Sequence, residues 1–140
     1  MAFIESPTCF VAIPEGPEFE AVRSAVMQAL DSHVRVLEAG QPAPSVTANT
    51  SDIMERVDFV IADVTKESAD VFYLLGLADA LRKPALIVAQ KQVSLSGDLG
   101  RHKLVLYGSN EVPKLAEYLR YWVSNTISLE RRKGSMLNAS

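Results

Sequence analysis

Cysteine and histidine are scarce in this chain of 140 residues, and basic residues are outnumbered by acidic ones. The single cysteine, Cys9, excludes an internal disulfide framework, and we expect a small buried residue in a reducing compartment such as the cytoplasm. Neither histidine, His33 nor His102, has cysteines or acids at ligand spacing, so we predict no metal site. The formal net charge of −3 gives no basic face for a phosphate backbone, so we predict no nucleic-acid partner.

Long apolar runs are also missing. No stretch approaches the roughly 18 residues of a membrane span, and the opening MAFIESPTCF lacks the basic start and long apolar centre of a signal peptide. We therefore expect no membrane partner and no export signal. A chain of 140 residues that is 48% hydrophobic has the length of one domain and can bury a core. We predict one domain over residues 1–133 and a flexible polar tail over 134–140.

Short apolar segments alternate with segments of helical periodicity. Five of them predict strands: CFVAI (9–13), VRVLEAG (34–40), DFVIADV (58–64), KPALIVA (83–89) and LVLYG (104–108). The second alternates most and is expected at an edge, and QPAPSVTAN (41–49) is expected to be a loop. Continuously apolar strands are typical of a parallel sheet that is covered on both faces. The pattern predicts an α/β fold with a single open parallel five-stranded sheet, in the flavodoxin-like order 2-1-3-4-5, and helices on both faces.

Polar residues follow the first and third predicted strands. In an open parallel sheet, ligands bind beyond the carboxyl ends of the strands, at the point where the strand order reverses. The first and third strands flank that point in the predicted order. The fold therefore brings five residues together, whether or not any of them is functional: Glu15, Gly16, Asp63, Thr65 and Asp70.

Asp63 and Asp70 each have a structural and a functional interpretation, and the two can coexist. Asp63 begins an Asp-x-Thr step that suits a turn, and Asp70 is an acid at a helix start, where the helix dipole favours it. Alternatively, either carboxylate accepts hydrogen bonds from sugar hydroxyls or acts as a general acid or base. Two acids at this edge favour a nucleoside over a polyphosphate, unless the amides near Gly16 outweigh them.

The most specific pattern is VDFVIADVTKESADVFYLLGLADALRKPALIVAQ, residues 57–90. Together with FVAIPEGPEF before it and DLGRHKLVLYG after it, this segment resembles the nucleoside 2-deoxyribosyltransferase-like superfamily. In that superfamily a strand ending in Asp-x-Thr precedes a helix reading Asn-Val-Phe-Tyr-Glu-Leu-Gly. The resemblance implies cleavage of a nucleoside N-glycosidic bond, with the glutamate of the Tyr-Glu-Leu-Gly step as the nucleophile. Here the step reads Tyr73-Leu74-Leu75-Gly76, so Leu74 stands at the nucleophile's position and Asp70 at the asparagine's.

Because leucine can neither attack nor ionise, we expect a nucleoside- or nucleotide-binding module without the usual nucleophile and without a cofactor. The 98–107 segment is expected to close one side of its site. The residues expected to contact the ligand are Ile13, Pro14, Glu15, Gly16, Asp63, Thr65, Asp70, Tyr73 and Leu74.

Two alternatives remain open at this point. In the first, the chain is an active N-glycosidase or deoxyribosyltransferase in which Asp63, Asp70 or Glu15 replaces the missing glutamate. In the second, it is an interaction or scaffold domain that uses only the fold. The 70–82 helix is apolar nearly all round, so we expect it to lie deep in the molecule. We also expect a homo-oligomer, because the resembled family tends to assemble and such a helix must be covered on more than its sheet-facing side.

Overall fold

The computed structural model describes residues 6–31, 33–38, 50–92 and 102–138, with side chains up to 130 and at 132 in the last range. The predicted loop at 41–49 and residues 98–101 of the predicted closing segment lie outside the described residues. The elements are β1 (Thr8–Ala12), a short 3-10 turn (Pro17–Phe19), α1 (Glu20–Leu30), β2 (Arg35–Glu38), α2 (Thr50–Arg56), β3 (Phe59–Asp63), α3 (Ala69–Ala80), β4 (Ala85–Gln90), β5 (Lys103–Tyr107) and α4 (Val112–Asn138).

The five strands form one parallel sheet in the order β2-β1-β3-β4-β5, which confirms the predicted fold class. In register, Val11 of β1 lies opposite Ile61 of β3, and Ile61 lies opposite Leu86 of β4. β2 is at one edge, as its alternating sequence predicts. The strand order reverses between β1 and β3, so the first and third strands do flank the point where open α/β sheets bind ligands.

Alternation along the strands divides the core into two layers. The layer under α1 and α4 contains Phe59 and Ile61 of β3, whereas the layer under α2 and α3 contains Val60 and Ala62 of the same strand. Because both faces of the central strands are covered, β3 is buried along its whole length. Helices therefore pack on both faces of the sheet, as predicted.

Helix α3 is less deeply buried than its apolar sequence suggests. Only Leu74, Leu75 and Ala78 are buried, and Tyr73 on the outer side is 60% exposed. The helix packs on the sheet through one face, and its apolar character continues onto the face that points away from the sheet. The expectation that this whole helix lies deep in the molecule is therefore wrong.

Three further features of the fold concern Cys9, the end of α4 and the character of the helices. Cys9 on the interior strand β1 is fully buried, and burial raises the pKa of its thiol well above the usual range. Helix α4 continues through residues 134–138, part of the predicted tail, whose flexibility stays a prediction. Among the described helices, none combines the length and the apolar character that crossing a membrane requires.

Candidate functional site

The loops that follow β1 and β3 contact each other at the carboxyl edge of the sheet, at the point where the strand order reverses and where open α/β sheets form a ligand crevice. We call it the switch-point crevice and define it by residues 13–19 and 64–70. Gly16 in the first loop has a φ of 132°, a backbone conformation that L side chains rarely adopt. A Cβ at this position would also meet the Glu18 carboxylate at 2.8 Å, because that side chain folds back over the glycine. The first loop thus depends on glycine to turn into the 3-10 turn and α1.

Lys66 spans the switch-point crevice from the second loop to the first. Its Nζ donates a hydrogen bond to the backbone carbonyl of Glu15 at 3.5 Å and lies 3.7 Å from the Glu18 carboxylate. The same ammonium lies 5.5 Å from the centroid of the buried Phe19 ring. The Lys66 and Glu18 side chains are about half exposed, so their ion pair contributes little stability and can exchange partners.

Asp63, the last residue of β3, accepts three hydrogen bonds through its carboxylate. Its Oδ1 accepts hydrogen bonds from the backbone N–H of Thr65 at 2.8 Å and from the Thr65 hydroxyl at 2.5 Å. Its Oδ2 accepts one from the Tyr107 hydroxyl at 2.5 Å. The Thr65 hydroxyl oxygen in turn accepts the backbone N–H of Gln90 at 3.0 Å. The network ties together the carboxyl ends of β3, β4 and β5.

Burial changes the protonation behaviour of both groups in this network. Asp63 is 1% exposed, and desolvation raises the pKa of its carboxyl above the ordinary value, although the bonds from Thr65 and Tyr107 oppose that rise. Burial, followed by the hydrogen bond to Asp63, raises the pKa of the Tyr107 phenol. The phenol therefore stays protonated and keeps its proton to donate. This arrangement is the turn-stabilising role that the Asp-x-Thr step suggests.

Asp63 and Leu74 lie on opposite faces of the sheet. Strand alternation and the bond to Tyr107 place Asp63 on the α1/α4 face, where Tyr107 belongs to the core. Leu74 is 5% exposed and belongs to the core of the α2/α3 face. The structure therefore does not bring the Asp63 carboxylate onto the face that holds Leu74.

The other predicted residues of the second loop and α3 differ sharply in exposure. Asp70 is exposed in the first turn of α3, and Ser68, which precedes the helix, makes no side-chain capping bond. Tyr73 points to solvent, whereas Leu74, at the next position, is core. Of the predicted carboxylates in this part of the chain, Asp70 is the one accessible to a ligand.

In the first loop, Ile13 is buried in the core, and its backbone carbonyl accepts a hydrogen bond from Arg23 at 3.2 Å. Arg23 also forms an ion pair with Glu38 at 2.6 Å, so it fixes the ends of β1 and β2. Pro14 is half-buried and Glu15 is exposed. Glu15 and Gly16 thus border the crevice, and the Ile13 side chain does not.

Sequence reasoning missed Lys66 as a residue of this edge and Tyr107 as the partner of Asp63. Lys66 directly follows the Asp-x-Thr step, so its position beside the crevice was available from the sequence. Tyr107 ends β5, whose carboxyl end lies at the same edge, but its phenol reaches Asp63 across β4. Only the packed side chains show that reach.

No three histidine, cysteine, aspartate or glutamate side chains come together as potential metal ligands within the described part of the chain. Neither a protein-family model nor a curated protein sequence matches this chain.

Proposed function

We propose that this chain is a non-catalytic module that binds a nucleoside or nucleotide in the switch-point crevice. The observation that carries the proposal is Lys66. It crosses the point where the strand order reverses, and its contact with Glu18 is exposed and exchangeable. A ligand phosphate or hydroxyl can take the place of the Glu18 carboxylate on this ammonium without opening the core.

The non-catalytic part of the proposal rests on Leu74 and on the resemblance described above. An apolar core side chain occupies the position at which the resembled enzymes carry their nucleophile. Asp63 is a poor substitute, because its two oxygens already accept three hydrogen bonds from Thr65 and Tyr107. It also lies on the other face of the sheet from Leu74.

The expected ligand chemistry changes because the Asp63 carboxylate is occupied by hydrogen bonds within the protein. The preference for a nucleoside over a polyphosphate assumed two free carboxylates at this edge. With Asp63 bonded internally, Asp70 and Glu15 remain as exposed predicted acids, and Lys66 adds a cation that contacts the Glu15 backbone. A sugar hydroxyl suits the acids and a single phosphate suits the lysine, so we propose a nucleoside or nucleoside monophosphate.

The test is a thermal-shift screen of the purified protein with nucleosides, nucleoside monophosphates and nicotinamide dinucleotide. We expect stabilisation by a nucleoside or a nucleoside monophosphate, and we expect Lys66→Gln to weaken it. Lys114→Gln is the matched control, because Lys114 is an exposed lysine in the first turn of α4. The absence of any shift, or a shift that Lys66→Gln and Asp70→Asn leave unchanged, would contradict the proposed site.

A base-release assay separates this proposal from the enzymatic alternative. Chromatography of the same mixtures should show intact nucleosides. Released base that disappears in Asp70→Asn would instead support an N-glycosidase or deoxyribosyltransferase with a substitute carboxylate. Comparison of Asp70→Asn with a Glu15→Gln variant shows which of the two exposed acids has that role.

We also propose that the module assembles through the outer face of α3. Exposed Tyr73 stands beside Gly76, where an added Cβ would meet no atom within 4 Å, so this apolar face is open. Light scattering should give a dimer or larger species that Tyr73→Asp dissociates. A monomer at high micromolar concentration would contradict this part of the proposal.

A further inference from the structure

A cleft of about 500 Å³ lies at the amino-terminal edge of the sheet, opposite the switch-point crevice. It is bordered by the first residues of β4 and β5, by the segment that follows α3, and by residues 122–130 of α4. We call it the amino-edge cleft. Its volume falls in the range of pockets that hold small organic molecules. The proposed nucleoside site uses none of its residues.

His102 is the polar side chain that the fold leaves unsatisfied in this cleft. The side chain is 8% exposed, and its Nε2 has no hydrogen-bond partner. Oδ1 of Asp79 lies 3.8 Å from Nε2, which is too far for a hydrogen bond. Buried polar atoms are nearly always bonded, and an unbonded one is unfavourable. The Nε2 atom is itself buried from solvent, and a ligand atom that reaches it would gain a hydrogen bond that the chain does not use.

Basic side chains outnumber acidic ones around the cleft. Arg82, Lys83 and Lys103 supply three cations, against the two carboxylates of Asp79 and Glu130. Both carboxylates take part in other interactions within the chain. The excess of positive charge favours an anion, and it disfavours a metal ion beside the imidazole.

The position of two of these cations has an ordinary structural explanation. Arg82 and Lys83 directly follow the end of α3, where basic residues interact favourably with the helix dipole. Lys103 begins β5 and His102 precedes it, so neither belongs to a helix end. The helix dipole thus leaves Lys103 and the unbonded Nε2 of His102 unexplained.

The opposite wall of the cleft includes the apolar side chains of Trp122 and Leu129. Trp122 packs edge-on against the buried ring of Phe59, with centroids 5.7 Å apart and an angle of 67° between the planes. This contact fixes the orientation of the indole while part of it stays accessible. A ligand that fits both walls has an apolar or aromatic body beside its charged group.

We propose that the amino-edge cleft binds a small organic anion, a carboxylate or phosphate carried on an aromatic or apolar body. His102 Nε2, in a tautomer or charge state that carries a proton there, donates to an anionic oxygen. Lys103 contributes charge, and Trp122 packs against the body. The site is independent of Lys66 and of the nucleoside proposal.

Trp122 supplies the measurement, because it is the single tryptophan of the chain. Titration with phenyl phosphate and with benzoate, followed by tryptophan emission excited selectively, reports on this cleft and not on the switch-point crevice. We expect a saturable change with at least one of the two anions in the millimolar range or below. Benzamide, the uncharged analogue of benzoate, should give a much smaller change.

Two variants test the residues that hold the anion. His102→Leu and Lys103→Gln should each weaken binding by about tenfold, since the first removes the donor to the anionic oxygen and the second removes a positive charge beside it. His33→Leu and Lys114→Gln are the matched controls, at exposed positions outside the cleft, and should bind as the unaltered chain does. Thermal unfolding of each variant confirms that it folds, and Lys103→Gln keeps the test valid if His102→Leu does not.

Some results would overturn the proposal. Emission that neither anion changes would mean that the cleft holds no such ligand. An equal response to benzamide and benzoate would mean that the apolar wall binds without the charge. Binding that survives in both Lys103→Gln and a folded His102→Leu would mean that His102 is only a structural neighbour of Asp79.

Discussion

Asp63 and His102 are buried ionisable side chains at opposite edges of one sheet, and their hydrogen bonding differs completely. The two oxygens of Asp63 accept three hydrogen bonds, whereas Nε2 of His102 makes none. The raised pKa of Asp63 alone would mark it as a functional candidate, but structural networks perturb pKa values as well. Burial and a shifted pKa therefore do not identify a ligand-binding group, and an unused hydrogen bond is the more specific sign.

Removing the Asp63 carboxylate should give the largest effect on stability. Asp63→Ala leaves the Tyr107 hydroxyl and the Thr65 N–H without their acceptor, so we expect the free energy of unfolding to fall by about 3 kcal/mol. Chemical denaturation measures this directly. Asp63→Asn is the control, because an amide can accept from Thr65 and donate to the Tyr107 oxygen, and it should retain most of the stability. Equal losses in the two variants would contradict the structural role of Asp63.

Removing the Tyr107 hydroxyl, which donates the hydrogen bond to Asp63, should lower the free energy of unfolding by less. Tyr107→Phe keeps the ring in the core but leaves Oδ2 of Asp63 buried without a partner, and we expect a loss of about 2 kcal/mol. In the double variant Tyr107→Phe with Asp63→Asn, the two losses should not add, since the residues act on one bond. Simple additivity would show that the two side chains do not depend on each other.

The pH dependence of stability gives a smaller but more diagnostic effect. Because folding raises the pKa of Asp63, the folded state binds this proton more tightly than the unfolded state does. The resulting stabilisation is full below the ordinary aspartate pKa of about 4 and is lost as the pH rises through the folded value. Relative to Asp63→Asn, the unaltered chain should therefore lose stability as the pH rises above about 4. A flat or opposite difference in unfolding free energy would contradict the raised pKa.

The smallest effect is expected at His102. His102→Leu removes a buried nitrogen that has no hydrogen bond, so stability should stay within about 0.5 kcal/mol of the unaltered chain or increase. Chemical denaturation at the pH used for Asp63→Ala makes the unfolding free energies of the two variants directly comparable. A loss approaching that of Asp63→Ala would mean that His102 holds the fold together, and the contrast between the two residues would fail.

The sheet order could be predicted from sequence because it depends on local patterns that the chain repeats. The uninterrupted apolar run Phe59–Ala62 predicts a central strand, and Arg35 and Glu38 in β2 predict an edge. The depth of helix α3 cannot be predicted in the same way, because composition alone does not distinguish an apolar helix inside a core from one with an open apolar face. The strands on which α3 packs, and not the composition of α3 itself, decide which face of the helix is buried.

The candidate site was less predictable than the fold. Topology brings Gly16, Asp63 and Asp70 to one edge, and that much follows from strand order. Which of them is free depends on a tyrosine two strands away and on a lysine that crosses between loops. Those contacts join residues distant in sequence through long side chains, and no local pattern encodes them.

Because Cys9 is buried, chemical labelling of its thiol measures unfolding of the chain. A thiol reagent reacts with the accessible thiolate, and in the folded chain this thiol is fully buried on β1, with a pKa raised by that burial. Labelling therefore requires an opening of β1, and its rate depends on how often that opening occurs. Since the chain has no other cysteine, mass spectrometry of the labelled protein follows this single event with no engineered probe. The rate should rise in Asp63→Ala and Tyr107→Phe according to how far each variant lowers the free energy of that opening.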